Sequence, residues 1–373
     1  MTRYLWMTAA AGLFVAGCGG RTELLQGKND AEFCGNVGET CVTSAACCGG
    51  GSCLGGVCVA PICAAGDAPV VLVSGSERLS GLLADGEHVY YTHYGSGGAV
   101  LRVHKSGGAA ETLVPSSVWT ESLVADEGSI YFMDGDRIAR ASKDSGVTSL
   151  LATEQDGSMS IAVDEAFVYW IDPADRAVRR VAKAGGPVDD IAKDEELTSE
   201  MVPRLIADAT TLYWSASGLW SIPGLHATPK VGGGGITTIE AAATTHFVAD
   251  ATYLFYIDEG SDFEGDPTSE LWRVRKDGTE RTKLAEWPFV YGELASGMAQ
   301  DDTHVFWANG QARSMMRGPK AGGDAVELFV ASDAINVFTV DASCVYYVTN
   351  RISNETGELT SSLLRAPRYF LGE

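Results

Sequence analysis

Residues 161–172 read Ile161-Ala162-Val163-Asp164-Glu165-Ala166-Phe167-Val168-Tyr169-Trp170-Ile171-Asp172. A short apolar run, an aspartate that can bond the amides of a tight turn, and a run of β-branched and aromatic residues make a β-hairpin. The unit recurs upstream as Leu83-Ala84-Asp85 with Val89-Tyr90-Tyr91 and as Val124-Ala125-Asp126 with Ile130-Tyr131-Phe132. Downstream come Ile206-Ala207-Asp208 with Leu212-Tyr213-Trp214, Val248-Ala249-Asp250 with Leu254-Phe255-Tyr256, Ala299-Gln300-Asp301 with Val305-Phe306-Trp307, and Thr339-Val340-Asp341 with Val345-Tyr346-Tyr347. That makes seven copies, whose aspartates are 41, 38, 44, 42, 51 and 40 residues apart. Such a period suits propeller blades of four short strands, so an all-β, seven-bladed β-propeller is predicted.

Each unit continues with a strand that in most copies holds an arginine, as in Leu101-Arg102-Val103, Ile138-Ala139-Arg140, Arg179-Arg180-Val181, Trp272-Arg273-Val274 and Met316-Arg317. A Lys-and-Gly turn follows, as at Lys105-Ser106-Gly107-Gly108, Lys183, Lys276 and Lys320, and then a last apolar strand such as Thr112-Leu113-Val114. Glycine supplies the positive φ that such tight turns need. The seventh unit stops at Leu363-Leu364-Arg365, short of its outer strand, while Val70-Val71-Leu72-Val73 precedes the first unit and belongs to none. The early strand is therefore expected to complete the last blade, closing the ring and leaving no open sheet edge. Closure brings Cys63 and Cys344 into the same blade, where a disulfide would lock it.

Val168-Tyr169-Trp170-Ile171-Asp172 followed by Arg180-Val181 resembles the YWTD-type propellers of receptor ectodomains. The likeness covers most of residues 69–373. That family has six blades, which makes six the alternative count, and the Thr-Asp of its motif is mostly lost here. The resemblance implies an extracellular binding module rather than an enzyme.

The first residues combine Arg3, an apolar segment from Leu5 to Val15, and Ala16-Gly17-Cys18. A positive start, a short greasy stretch and small residues before a cleavage point are the marks of a signal peptide, here residues 1–17. The segment is shorter than the roughly 20 apolar residues of a membrane span. Ala16-Gly17-Cys18 resembles the bacterial lipobox, which implies a lipidated Cys18 as the mature N-terminus. Residues 18–33 would then be a polar, flexible tether.

Residues 34–63 form a Cys-rich module with almost no apolar material for a core. Cys34, Cys41, Cys47, Cys48, Cys53 and Cys58 follow the pattern C-x6-C-x5-C-C-x4-C-x4-C. An exported domain of this size relies on disulfides, and six cysteines allow fifteen pairings. Zinc is disfavoured, since C-x2-C pairs are absent and no histidine is near. The spacing resembles knottin-like cystine knots and the Cys-rich segment of dickkopf-type proteins, which implies Cys34–Cys48, Cys41–Cys53 and Cys47–Cys58.

The formal charge of −22 becomes −23 once residues 1–17, with Arg3, are removed. So acidic a chain is repelled by nucleic acid and by anionic lipid, which leaves the lipid anchor as its only expected membrane contact. No G-x-S-x-G, H-E-x-x-H or P-loop pattern occurs, and the six histidines are scattered. The inner strands read as packing rather than chemistry. Near the channel mouth Arg204 and His246 hold matching positions in neighbouring blades and are candidate ligand contacts. A second candidate is the aromatic loop Trp287, Phe289 and Tyr291. Beside it, on the longest spacing, the acidic insertion Asp258, Asp262, Glu264 and Asp266 suits Ca²⁺ by ligand type, but it does not match D-x-[DN]-x-[DN]-G. No other cofactor is expected. The expected protein is a lipid-anchored binding protein of the bacterial cell envelope, facing periplasm or exterior and recognising a protein or glycan. The alternative is a propeller hydrolase or lyase acting on polysaccharide or a lactone through carboxylates such as Asp258 and Asp262. Oligomeric state is not legible.

Overall fold

The computed structural model describes residues 52–54, 57–59, 62–64, 66–94, 98–115, 122–155, 160–193, 204–216, 224–241, 244, 246–258, 268–288, 297–309, 313–353 and 355–368. It divides into a unit of residues 1–64 and one of residues 65–373. The second unit is the seven-bladed propeller, each blade a four-stranded antiparallel sheet. In the third blade the strands run Ile161–Val163, Phe167–Asp172, Ala177–Ala182 and Asp189–Lys193 from the inside outward. The other blades repeat that order, and among the described residues no helix is long and apolar enough to cross a membrane.

The central residues of each second strand, such as Val168, Tyr169 and Trp170, are apolar or aromatic because both faces of the strand are buried there. In the third blade Val168 and Trp170 pack with Tyr131, Ile138 and Leu151 of the second. The alternate residues Tyr169 and Ile171 pack with Leu205, Leu212 and Trp214 of the fourth. Successive side chains of a strand point to opposite faces, so one strand serves two inter-blade cores. The same exchange recurs between the first and second, fourth and fifth, fifth and sixth, and sixth and seventh blades. Between third and fourth strands, Gly107 and Gly108 have φ of 98° and 127°, and Gly185 and Gly186 have 85° and 132°. Side chains other than glycine's rarely adopt such angles.

Closure follows the expected route. Val70–Gly75 pairs antiparallel with Leu359–Pro367, which pairs with Cys344–Ile352 and through it with Ile335–Val340, so the chain's earliest propeller strand is the outer strand of the last blade. Across the seam Asn350 accepts from the Leu79 amide at 3.2 Å and donates to the Leu79 carbonyl at 3.0 Å. Cys63 and Cys344 are both buried and disulfide-bonded. The count is seven, not the alternative six. One strand boundary differs from the expected loop: Thr282–Pro288 carries Trp287 as its penultimate residue, because Trp287 stays in register opposite Ser269.

Within the first unit, Ser52–Leu54 and Val57–Val59 form a two-stranded antiparallel ribbon with Cys53 opposite Cys58. Cys18, Cys34, Cys41, Cys47 and Cys48, and the pairings implied for them, lie outside the described residues.

Candidate functional site

The seven repeat aspartates are turn caps, and they are more than that. Asp164 accepts the Ala166 and Phe167 amides at 2.8 Å on Oδ1. Its Oδ2 accepts the Tyr169 hydroxyl at 2.7 Å and lies 2.5 Å from Lys230 Nζ of the following blade. The same cross-blade pair recurs as Lys143–Asp85, Lys183–Asp126, Lys276–Asp208 and Lys320–Asp250. Arg368 takes the lysine's place on Asp301, and Lys105 closes the circle on Asp341. Seven cation–carboxylate pairs thus join every blade to its neighbour. Burial of Asp85, Asp126, Asp164 and Asp208 raises their carboxyls, but turn amides and the lysine outweigh it and hold each at about 2. A saturated carboxylate of this kind has no valence left for a metal or substrate.

The central channel is different. A cavity of about 460 Å³ opens at the propeller axis, walled by inner-strand residues of all seven blades, among them Leu82, Leu123, Ile161, Ile206, Val248, Met298 and Phe338. Four residues before each repeat aspartate stand Gly81, Ser122, Ser160, Arg204, His246, Gly297 and Val337, which directly precede the first inner-strand pairing in five blades and lie within the longer inner strands of the first and seventh. Ser122 and Ser160 are spent on structure, their hydroxyls accepting the amides of Ile161 and Leu205 in the next blade at 3.3 and 2.9 Å. Arg204 lines the cavity, and its backbone is clamped by the Ser215 hydroxyl and amide, each at 3.1 Å. Among the described residues its guanidinium meets no carboxylate, whereas Arg179 meets Asp172, Asp175 and Asp190.

Burial pulls the Arg204 pKa below its usual value, although the residue is only half-buried by surface area and lines the open cavity. A guanidinium nonetheless stays protonated at neutral pH. Burial first, and then the Arg204 charge, lower His246 to about 4, so its imidazole is neutral at pH 7. The structure brings the two residues together at one edge of the channel. A single half-buried cation beside a neutral imidazole, in a cavity walled by both polar and apolar groups, can bind one carboxylate-sized anion.

The other candidates fall elsewhere. Trp287 is half-buried and stacks on Trp307 of the sixth blade, ring centres 5.3 Å apart and 25° between planes. Asp258 ends its strand with Oδ2 3.5 Å from Arg281 Nη2. Phe289, Tyr291, Asp262, Glu264 and Asp266 lie outside the described residues. Among the described residues no cluster of three metal-ligating side chains occurs. The Lys–Asp ring is what sequence reading missed; its signal was the lysine that follows the third strand in nearly every unit.

No protein-family model matches the chain, and no curated protein does. Solved structures do match. The extracellular domain assigned to a hybrid two-component system of B. thetaiotaomicron is similar at 9% identity and a TM-score of 0.57, over 81% of this chain and 39% of that one. A prolyl endopeptidase is similar at 11% identity and 0.55, over 79% and 50%. The computationally designed Ika8 protein is similar at 13% and 0.52, over 78% and 87%. At these identities the likeness is one of fold alone.

Proposed function

We propose that this chain is a membrane-tethered extracytoplasmic binding protein whose propeller takes an acidic group of a protein or glycan ligand into its channel mouth at Arg204. The observation that carries this reading is the Arg204 guanidinium, half-buried in the channel wall and without a carboxylate among the described residues. Keeping such a charge out of water is costly unless something pairs with it. The chain's net charge of −22 weakens long-range attraction for polyanions, so the fitting partner is an isolated carboxylate rather than a nucleic acid. Export through residues 1–17, lipidation at Cys18 and a disulfide-held module at residues 34–63 complete the proposal, and would hold the propeller off a bacterial membrane. Ca²⁺ at the 258–266 insertion is a separate, subsidiary proposal.

The test is capture from envelope extract by the full mature chain and by folded Arg204→Ala. Loss of the same captured species in the variant supports the channel mouth. Undiminished capture moves the site elsewhere, the Trp287–Tyr291 segment first. Incorporation of labelled palmitate by wild type but not by Cys18→Ser checks the anchor.

A further inference from the structure

In six blades the third strand sends an arginine across to the next blade. Nη1 of Arg102 donates to the Lys143 carbonyl at 2.7 Å, and Arg180 and Arg273 do so to Lys230 and Lys320 at 2.8 Å. Arg140, Arg317 and Arg365 repeat the contact with Lys183, Arg368 and Lys105. The fourth blade breaks the series. Ala227 stands opposite Tyr213, the register that Arg102 holds opposite Tyr90 and Arg180 opposite Tyr169. Among the described residues no arginine reaches the equivalent Lys276 carbonyl. In its place is a cleft of about 210 Å³ lined by Thr211, Ala227, Thr228, Thr237, Lys276 and Asp277.

We propose that this cleft between the fourth and fifth blades binds a guanidinium group supplied from outside the chain. The protein itself shows how: six internal guanidinium groups already sit in the corresponding place, each donating to the corresponding carbonyl. The cleft's own charges favour a cation. Lys276 Nζ is occupied by Asp208 at 2.8 Å, while the exposed Asp277 carboxylate is held by the Thr279 amide and hydroxyl with Arg275 only at 3.6 Å. Thr237, paired opposite Ala227, occupies the position from which Glu111 and Asp189 hold Arg102 and Arg180. The volume equals about seven water molecules at ~30 Å³ each, enough for a planar guanidinium and a short alkyl stem. A longer side chain at position 227 would close it.

The full mature chain is titrated with ethylguanidinium, Gly-Arg-Gly and, as the control cation, propylammonium at constant ionic strength, with binding read by saturation-transfer NMR. Saturable binding of the guanidinium probes but not of propylammonium is expected. It should vanish in Ala227→Arg and in Ala227→Leu, the second variant filling the cleft without adding charge, and weaken about two- to fivefold in Asp277→Asn. Tighter binding of the tripeptide assigns a peptide-borne source, and equal binding a free guanidino compound. No saturation, equal saturation by propylammonium, or saturation that survives both filled variants overturns the proposal. Arg204→Ala should leave the titration unchanged, which separates this cleft from the channel site.

Discussion

Lys105 Nζ lies 2.5 Å from Asp341 Oδ2, a contact that spans 236 residues of chain and joins the first blade to the seventh. It is the last link of the ring of cross-blade pairs, and Lys105 is almost wholly buried. Asp341→Asn keeps an oxygen for the Ser343 and Cys344 amides and removes the charge that Lys105 needs. The loss should be about 1–3 kcal/mol, between the values of exposed and buried pairs. Urea unfolding of this variant beside Asp126→Asn, whose pair lies within the ring, checks it. The seam variant should be the less stable of the two, since its pair joins strands with no covalent neighbour, and equal midpoints would remove the seam's special role.

Cys63 and Cys344 are each disulfide-bonded, and their pairing with one another, expected from the sequence, would give the closure a second tie. Reducing agent should lower the unfolding midpoint of the wild type and leave a Cys63→Ser, Cys344→Ser variant unaffected. The expected cost is about 2–5 kcal/mol. Non-reducing proteolysis offers an independent check, because the peptides holding the two residues should stay joined until reduction. Separate peptides without reductant would contradict the bond.

Acid should act on the ring in a defined window. Asp85, Asp126, Asp164 and Asp208 sit at about 2 in the fold against an ordinary 3.8. A depressed carboxyl stabilises the fold fully above its unfolded pKa, and that stability is lost as pH falls through the folded one. The ring should therefore be intact above about pH 4 and fail between about 4 and 2. His246, lowered from 6.5 to about 4, adds an earlier and smaller loss across that interval, because the unfolded chain takes up its proton first. Unfolding midpoints measured from pH 7 to 2.5 should fall in two stages, and His246→Gln should abolish only the first.

The parts of the molecule legible in sequence were those written in local pattern. Asp164 three residues before a run of aromatics announces its turn, and Val70–Val73, an orphan strand, announces the closure. The Lys230–Asp164 pair was not legible, because its partners are 66 residues apart and meet only once blade order and register are fixed. Arg368 for lysine and Phe255 or Phe306 for tyrosine hide the pattern further. Arg204 and His246 were found by comparing equivalent positions. Their being unlike the glycines and serines of the other blades carries the information, whereas the cleft at Ala227 shows itself only as a residue missing from a contact no single blade reveals.

Stability and binding should oppose each other at Arg204. A guanidinium held in the channel wall without a carboxylate among the described residues costs the unliganded fold, so Arg204→Leu should raise its stability by about 1 kcal/mol. The same change should abolish stabilisation by small carboxylates. Acetate compared with chloride at fixed ionic strength should raise the wild-type melting temperature and leave that of Arg204→Leu in place. The acetate effect should stay level from about pH 7 to about 5.5, because His246, lowered to about 4 in the fold, remains neutral there while acetate is ionised. The unfolded chain takes up the His246 proton over the same interval and lowers the stability of the unliganded protein, so the difference between the two salts, rather than the melting temperature itself, carries the information. An acetate effect that is identical in wild type and Arg204→Leu would show that the channel arginine does not receive the carboxylate.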